Sequence, residues 1–322
     1  MNTVPKALLD FIGQYEHFIL ASHREPDGDC VGSSLALASY LARKGKRTSL
    51  VSAGPFKRPE IREFEPLFAP NAEQAERSEG TALFVLDCSG IERLGDAAAA
   101  VSDLPRAVVD HHATNESSGP ADYVVGTAPS TTVLVQDIME ASGDGPTREE
   151  AELLLFGLCT DTGFFRHLDE RSASTFEHAS RLVAAGANPK KTFARMNGGK
   201  SFESRVLISR ILSRMTRYYD GRLVVSSETI DDTREYGLEG RDSDSLYQLI
   251  QAIRGVEAIV IVRQESETTC SVGLRSLDRV DVSVVATAFG GGGHRQASGL
   301  NTPGTIEELI PRFVEAFKPQ FS

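Results

Sequence analysis

The chain has 322 residues, is 40% hydrophobic and carries a formal net charge of −11. A chain of this length buries one or two ordinary cores, and two domains are the better expectation. The negative net charge argues against a protein that coats long duplex nucleic acid, because Lys and Arg supply most non-specific affinity for phosphate. It does not exclude short phosphorylated ligands, which need only a local positive patch or bound metal ions.

Membrane insertion and secretion are not expected. No segment reaches the roughly 18 consecutive apolar residues that a membrane-spanning helix needs, and the N-terminus lacks the pattern of a signal peptide. We therefore expect a soluble cytoplasmic protein with no membrane partner. The four cysteines are far apart and form no CxxC pair, so reduced thiols that serve in packing are expected. Three of them lie within two positions of Asp29, Asp87 and Asp161, and interference with the site by oxidation or a soft metal is the alternative.

The first half of the chain alternates strand-like and helix-like segments, which predicts a mainly parallel sheet flanked by helices. Predicted strands cover residues 18–22, 47–52, 82–86 and 106–109, and predicted helices cover 32–45, 130–141, 148–159 and 171–185. The segment Gly32-Ser33-Ser34 is predicted to open its helix, where the N-terminus favours phosphate oxygens.

The second half predicts a smaller α+β domain. Its predicted strands are 221–227, 258–264 and 268–275, and its predicted helices are 242–253 and 282–289. We therefore expect a first domain over residues 1–190, a helical linker over 191–215 and a second domain over 216–322.

Acidic and imidazole side chains follow strand-like apolar runs at the point where each run ends. One of these runs, residues 153–158, also belongs to the predicted helix 148–159. The carboxyl ends of parallel strands line one crevice, so these side chains are expected to converge there. Each cluster alone is also explained by an acidic turn, a helix cap or a structural hydrogen-bond cluster, but their conjunction favours a metal site. The residues are His23, Asp27, Asp29, Asp87, Asp110, His111, His112 and Asp161.

Five sequence motifs resemble a known family. The segments HREPDGDCVGSS, VLDCSG, VDHHATN and CTDTGFF resemble, in order and spacing, the four motifs of the DHH phosphoesterase superfamily. The run Gly290 to His294, followed by Gln296 to Gly299, is similar to the signature of the associated DHHA1 domain. The resemblance implies an N-terminal DHH domain and a smaller C-terminal DHHA1 domain across a cleft.

Length and layout are most similar to the NrnA type of this family. That resemblance implies hydrolysis of short RNA oligonucleotides (nanoRNA) to mononucleotides and of 3'-phosphoadenosine 5'-phosphate (pAp) to AMP. A homodimer is also expected from the family. The alternatives are a phosphodiesterase for cyclic or linear dinucleotides, a single-strand exonuclease like RecJ, a family II pyrophosphatase and a nucleotide sensor without catalysis.

The resemblance also assigns roles at the metal site. One ion would be held by His23, Asp27 and Asp87, and the other by Asp29, Asp87, His111 and Asp161. Mixed imidazole and carboxylate ligands suit Mn²⁺, with zinc and iron as alternatives. Mg²⁺ prefers a pure oxygen shell and is, with other divalent ions, a further alternative. Two ions about 3.5 to 4 Å apart would activate a shared hydroxide as nucleophile. His112 has no metal role in this assignment and would stabilise charge on the phosphoryl group. Asp110 would orient an imidazole.

Substrate contacts are expected mainly from the second domain. Arg275 and Ser276 form the RS pair that, by resemblance, holds substrate together with His294. The absence of Cβ atoms at Gly291, Gly292 and Gly293 would let the backbone approach a phosphate. Arg166 could clamp a phosphate, although a surface role explains it equally well. Arg279 is a further substrate-binding candidate by resemblance, after Arg275 and His294.

Overall fold

The computed structural model describes residues 3–75, 77–95, 100–237, 240–277 and 279–321. The chain divides into two compact units, Met1–Gly199 and Lys200–Ser322. The expected linker over residues 191–215 is divided between the two units. The boundary after Gly199 falls between a helix that ends at Asn197 and a helix that begins at Phe202. Across the described residues, every helix is too short or too polar to cross a membrane.

Parallel strands form the sheet of the first unit, in the order β2-β1-β3-β4-β5. Every residue of β1 and β3 is buried, which explains why these strands are nearly continuous apolar runs in the sequence. The predicted parallel sheet is confirmed. The strands are β1 (His17–Ser22), β2 (Arg47–Val51), β3 (Thr81–Leu86), β4 (Arg106–Asp110) and β5 (Tyr123–Val124).

Helices cover this sheet and supply most of the core of the first unit. They are α1 (Lys6–Gln14), α2 (Gly28–Arg43), α3 (Thr131–Ala141), α4 (Arg148–Asp161), α5 (Ala173–Ala184) and α6 (Pro189–Asn197). Short 3-10 helices cover Pro59–Leu67, Ala72–Gln74 and Ile91–Leu94.

The apolar run at residues 153–158 is not a strand but the middle of helix α4. Thr147 and Glu150 form a capping box at its start, and the helix packs among other helices, so much of its surface is apolar. The prediction that Asp161 stands at a strand end is therefore wrong: it is the last residue of α4, whereas the helical prediction for residues 148–159 is confirmed.

Helix α2 begins at Gly28, four residues earlier than predicted. Asp27 is its N-cap and accepts from the backbone N–H groups of Asp29 and Cys30 at 3.0 and 3.1 Å. The expectation that Gly32 opens the helix and faces phosphate is wrong. Gly32 instead permits close packing, because a Cβ there would lie 2.7 Å from the carbonyl oxygen of Leu153 in α4.

The second unit has a mixed sheet in the order β10-β11-β9-β8-β7-β6, in which only the β7 and β8 pair is parallel among the described strands. Separate apolar clusters cover its two faces. Its strands are β6 (Thr216–Tyr218), β7 (Leu223–Glu228), β8 (Ala258–Gln264), β9 (Thr269–Ser276), β10 (Gly292–His294) and β11 (Ala297–Pro303). Its helices are α7 (Phe202–Ser213), α8 (Ile230–Tyr236), α9 (Ser243–Gln251), α10 (Val282–Ala288) and α11 (Ile306–Phe317), with a 3-10 turn at Lys318–Gln320.

Candidate metal centre

The ends of β1, β3 and β4, the start of α2 and the end of α4 meet at one edge of the first sheet. They bring together potential ligand atoms in three overlapping groups, each within 4.8 Å. The groups are His23, Asp27, Cys30 and Asp87; Asp87, His111 and His112; and Asp29, His111 and Asp161. All six residues predicted as metal ligands are therefore at this edge.

Asp87 lies between two of these groups and is buried. Its backbone adopts a left-handed conformation with φ of +53°, which turns the chain sharply after β3. The Oδ1 atom faces one side, 3.5 Å from Nε2 of His111 and 3.2 Å from the hydroxyl of Thr131. The Oδ2 atom faces the other, 3.8 Å from Nε2 of His23 and 3.1 Å from the thiol of Cys30. Its two oxygens thus serve different groups.

Backbone carbonyls fix the orientation of two imidazoles. Nδ1 of His23 donates to the carbonyl of Arg24 at 2.7 Å, and Nδ1 of His111 donates to the carbonyl of Ala128 at 3.2 Å. A carbonyl oxygen only accepts, so each Nδ1 carries its proton and each Nε2 faces the carboxylates. This is the arrangement in which a neutral imidazole presents its lone pair to a metal ion.

Asp29 is completely buried and is held by the first turn of α3. Its Oδ2 accepts from the N–H of Thr131 at 2.6 Å, and its Oδ1 accepts from the N–H of Thr132 at 2.9 Å. These amides stabilise the carboxylate at the positive end of the helix. Even so, burial together with Asp161 and Asp87 raises the pKa of Asp29 well above its usual value.

The charges of this cluster are not balanced by basic side chains. Among the described residues, the charged partners within 4 Å of Asp29, Asp87 and Asp161 are imidazoles. Burial and nearby carboxylates raise the pKa of Asp161. Burial opposes protonation of His111, but Asp161 and Asp87 raise its pKa to about 11. A cluster of buried carboxylates and imidazoles with no basic side chain beside it among the described residues fits divalent cations.

Asp110 faces His112 rather than the metal-ligand groups. Its Oδ1 accepts from Nδ1 of His112 at 2.7 Å, and its Oδ2 accepts from the side-chain amide of Asn115 at 2.7 Å. Burial raises the pKa of Asp110, but His112 and Asn115 outweigh burial and lower it. The same bond to Asp110 raises the pKa of His112 and holds this half-buried imidazole in one orientation.

Three residues of the site were missed in the sequence. Cys30 stands next to Asp29, and packing was favoured for it over interference with the site by oxidation or a soft metal. Thr131 lies 44 residues after its partner Asp87, at a helix start that gave no sign of that contact. Asn115 was quoted within the motif VDHHATN without a role, although an amide close to a buried carboxylate is a common partner for it.

The glycine run of the second unit forms a strand and a tight pairing, not a loop. Gly292 to His294 pairs with Ala297 to Gly299 of β11. A Cβ at Gly291 would lie 2.4 Å from Cβ of Leu300, and one at Gly293 would lie 2.6 Å from the carbonyl of Ala297. Packing therefore explains these two glycines. Gly292 has open space around it, and His294 is exposed.

The other predicted substrate residues differ in their exposure and in the contacts that they already make within the protein. Arg275 lies over the ring of Tyr247 at 4.7 Å, and its Nη1 donates to the carbonyl of Leu274. Ser276 is buried and donates to the carbonyl of Val280 at 2.7 Å. Arg279 is exposed, and exposed Arg166 donates from Nε to the carbonyl of Gly163 within its own turn.

Comparison with known proteins places this site in a family. Residues 17–158 match the model of the DHH family N-terminal domain, and residues 220–322 match the DHHA1 domain. The chain therefore contains a DHH-family N-terminal domain and a DHHA1 domain. The matched DHH region contains every residue of the metal-ligand groups except Asp161, which lies three residues beyond its end, and the DHHA1 domain contains the glycine strand.

Relatives within the DHH family align along nearly the whole chain. The bifunctional oligoribonuclease and PAP phosphatase NrnA of Thermus thermophilus is 28% identical over 305 residues, covering 94% of this chain and 90% of NrnA. The cyclic-di-AMP phosphodiesterase PdeA of Listeria monocytogenes is 26% identical over 315 residues, covering 91% of this chain but 46% of PdeA. An exopolyphosphatase-related protein of Bacteroides fragilis superposes with a TM-score of 0.82 at 22% identity, over 100% of this chain and 99% of that one, which shows the shared fold.

Proposed function

We propose that this DHH-family protein is a Mn²⁺-dependent phosphoesterase that hydrolyses short RNA oligonucleotides to mononucleotides and pAp to AMP. The observation that carries the proposal is the position of Asp87, whose two oxygens face two different groups of ligand atoms. Similarity to NrnA over 94% of the chain supports the choice of substrates.

Six residues would hold two ions. His23, Asp27 and Asp87 would hold one, and Asp29, Asp87, His111 and Asp161 the other. When bound, such ions lower the pKa of water and neutralise the charge that develops on phosphoryl oxygens during an in-line displacement. The chain contributes orientation: Arg24 and Ala128 fix the imidazoles of His23 and His111 through their carbonyls.

His112 would act on the substrate rather than on an ion. Its Nδ1 is committed to Asp110, so its Nε2–H is the group left to donate to a phosphoryl oxygen. Asp110 raises the pKa of His112, which favours the ring form that carries a proton on both nitrogens. A donor that is already oriented stabilises the charge of the transition state without reorganisation. Asp110 is in this view a positioning residue.

Residues of the DHHA1 domain would bind the rest of the substrate. Arg275 uses one of its five N–H donors on the carbonyl of Leu274, which leaves donors for a phosphate or a terminal carbonyl of a base. His294, Arg279 and the open backbone at Gly292 are the further contacts that we propose. Ser276 would support the neighbouring turn through Val280, and Arg166 has weaker support because its own turn already holds it.

A phosphodiesterase acting on cyclic or linear dinucleotides is the second candidate. It is favoured by the alignment of PdeA with 91% of this chain. The same two-ion chemistry cleaves either kind of ester, so the choice between the candidates depends on how the substrate is held and not on the metal centre.

Substrate preference tests the proposal. The purified protein is incubated with Mn²⁺ and, in parallel, pAp, labelled RNA of two to five nucleotides, and linear and cyclic dinucleotides, with Asp87→Asn as the control for contaminating activity. Phosphate from pAp together with mononucleotides from RNA is the expected result. Activity confined to dinucleotides would establish the second candidate, and binding without turnover of any substrate would overturn both.

A further inference from the structure

Cys30 lies in the first turn of α2 with its side chain completely buried. Its Sγ atom donates to Oδ2 of Asp87 at 3.1 Å, and its backbone N–H donates to Oδ1 of Asp27 at 3.1 Å. The sulfur therefore belongs to the same group of ligand atoms as His23, Asp27 and Asp87. Packing alone does not require a thiol at this position to face two carboxylates and an imidazole.

The other cysteines, all of which the structure describes, direct their thiols elsewhere. Cys88 is the chain neighbour of Asp87, yet its Sγ donates to the carbonyl of Gly90 at 3.0 Å. Cys159, two residues before Asp161, is buried in the apolar core. Cys270 lies in the second unit, where its Sγ contacts the carbonyl of Gly304. Proximity in sequence to a ligand aspartate is thus not enough to place sulfur in the group.

This group offers one imidazole nitrogen, two carboxylate oxygens and one sulfur. Four such donors match the number and types that Zn²⁺ binds, and a sulfur donor favours Zn²⁺ and Cd²⁺ over the harder Mn²⁺. A tetrahedral ion with sulfur at about 2.3 Å and oxygen at about 2.1 Å holds those two atoms roughly 3.6 Å apart. The separation of Cys30 Sγ from Asp87 Oδ2 is 3.1 Å, so modest side-chain adjustment meets this geometry.

We propose that Cys30 converts the first ion position into an inhibitory site for thiophilic ions. When Zn²⁺ or Cd²⁺ binds, the S–H bond breaks, the proton leaves to solvent, and the sulfur electron pair forms the bond to the ion beside His23, Asp27 and Asp87. With Mn²⁺ the thiol keeps its proton and its hydrogen bond to Asp87. A closed set of four protein ligands leaves no position for water or substrate, so turnover stops. The inference rests on the metal assignment in the proposed function.

The direct test is spectroscopic and needs no substrate. The parent protein, Cys30→Ser and the matched control Cys88→Ser are titrated with Cd²⁺, and ultraviolet absorption from sulfur-to-cadmium charge transfer is recorded together with the dissociation constants for Cd²⁺ and Mn²⁺. The parent and Cys88→Ser should show the band with one equivalent of Cd²⁺. Cys30→Ser should lose the band and bind Cd²⁺ at least about 100-fold more weakly, a larger loss than removal of an outer-shell partner causes. Its Mn²⁺ affinity should fall by a smaller factor.

A band that persists in Cys30→Ser, or Cd²⁺ binding to the parent without a band, would overturn the proposal. Cys30→Ala is the second variant if the serine protein does not fold, as judged by circular dichroism. Inhibition supplies the functional readout: the Zn²⁺ concentration that halves Mn²⁺-dependent turnover should rise in Cys30→Ser relative to Cys88→Ser. A band without turnover on any substrate would refute the proposed function alone, whereas failure to bind either ion would refute the shared metal assignment.

Discussion

The Nε2 atom of His111 lies 3.1 Å from Oδ2 of Asp161, and this contact joins the end of strand β4 to the last residue of helix α4. The two residues are 50 positions apart in the chain. Their approach depends on how α4 packs and not on the sheet alone. The site can therefore be disturbed at a distance by changes that move this helix.

Replacing Asp87 with Asn should abolish Mn²⁺-dependent turnover and reduce the amount of bound metal. Asn has the same shape and also tolerates the left-handed backbone at this position, so the fold should be retained. Asp220→Asn is the matched control, because Asp220 is also left-handed, with φ of +57°, but is exposed in the second unit. Metal content, turnover and circular dichroism are compared; full activity in Asp87→Asn would refute the metal assignment.

His112 and Asp110 should behave as one unit in a double-mutant cycle. His112→Ala should lower kcat by about a hundredfold or more while metal stoichiometry is retained, since the lost group is a charge-stabilising donor. Asp110→Asn should lower kcat through misorientation of the same ring. The double variant should then be little slower than His112→Ala, because the aspartate acts through the imidazole. Multiplicative losses would show that the two residues act independently.

The strands that supply the site could be predicted because each is buried on both faces and ends at a polar cluster. β1, β3 and β4 are such runs, and His23, Asp87 and His111 follow them directly. The same signal failed for residues 153–158, since an internal helix is also a run of apolar residues. In that segment the capping box of Thr147 and Glu150 correctly indicates the start of a helix.

Long-range polar contacts could not be predicted. The hydroxyl of Thr131 and the thiol of Cys30 reach Asp87 only after α3 and α2 have packed on the sheet. Their residue types are common in cores and at helix starts, so the sequence alone favours packing and capping roles. The glycine run was interpreted through its backbone freedom alone, and its local hairpin with Ala297 to Gly299 was not predicted.

Gly32→Ala should disturb both stability and metal binding. A Cβ at this position would lie 2.7 Å from the carbonyl oxygen of Leu153, which belongs to the backbone of α4 and cannot rotate away. We expect a loss of about 1 to 3 kcal/mol in the free energy of unfolding, as overpacking causes. Because α4 carries Asp161, Mn²⁺ affinity should fall as well.

Gly13→Ala is the control for that substitution. Gly13 lies in α1, and no atom lies within 4 Å of the point that a Cβ would occupy there, so Ala should leave stability unchanged or raise it by up to about 1 kcal/mol. Urea unfolding followed by circular dichroism, together with Mn²⁺ titration, gives both readouts. Equal behaviour of the two variants would show that α2 and α4 have room to separate.

Asp232 should stabilise the second unit in a pH-dependent way. It is buried, its Oδ2 accepts from the N–H of Thr229 at 2.9 Å, and the same oxygen lies 2.5 Å from Nη1 of Arg214. Burial raises the pKa of Asp232, but Arg214 and Thr229 outweigh burial and lower it. Asp232→Asn removes the charge-assisted bonds and should cost about 2 kcal/mol at neutral pH.

The sign of the pH dependence follows from the lowered pKa. The folded state binds the proton of Asp232 less readily than the unfolded state does, so its stabilisation is complete above the unfolded pKa and disappears as the pH falls through the folded value. The difference between the parent and Asp232→Asn should therefore be full at neutral pH and shrink below about pH 4. Hydrogen exchange of the amides in α8 measures this difference within the second unit. Asp231→Asn is the control: the side chain of Asp231 is 82% exposed, so this substitution should have almost no effect on stability at neutral or acidic pH. A pH-independent difference for Asp232→Asn would mean that shape, and not charge, stabilises the start of α8.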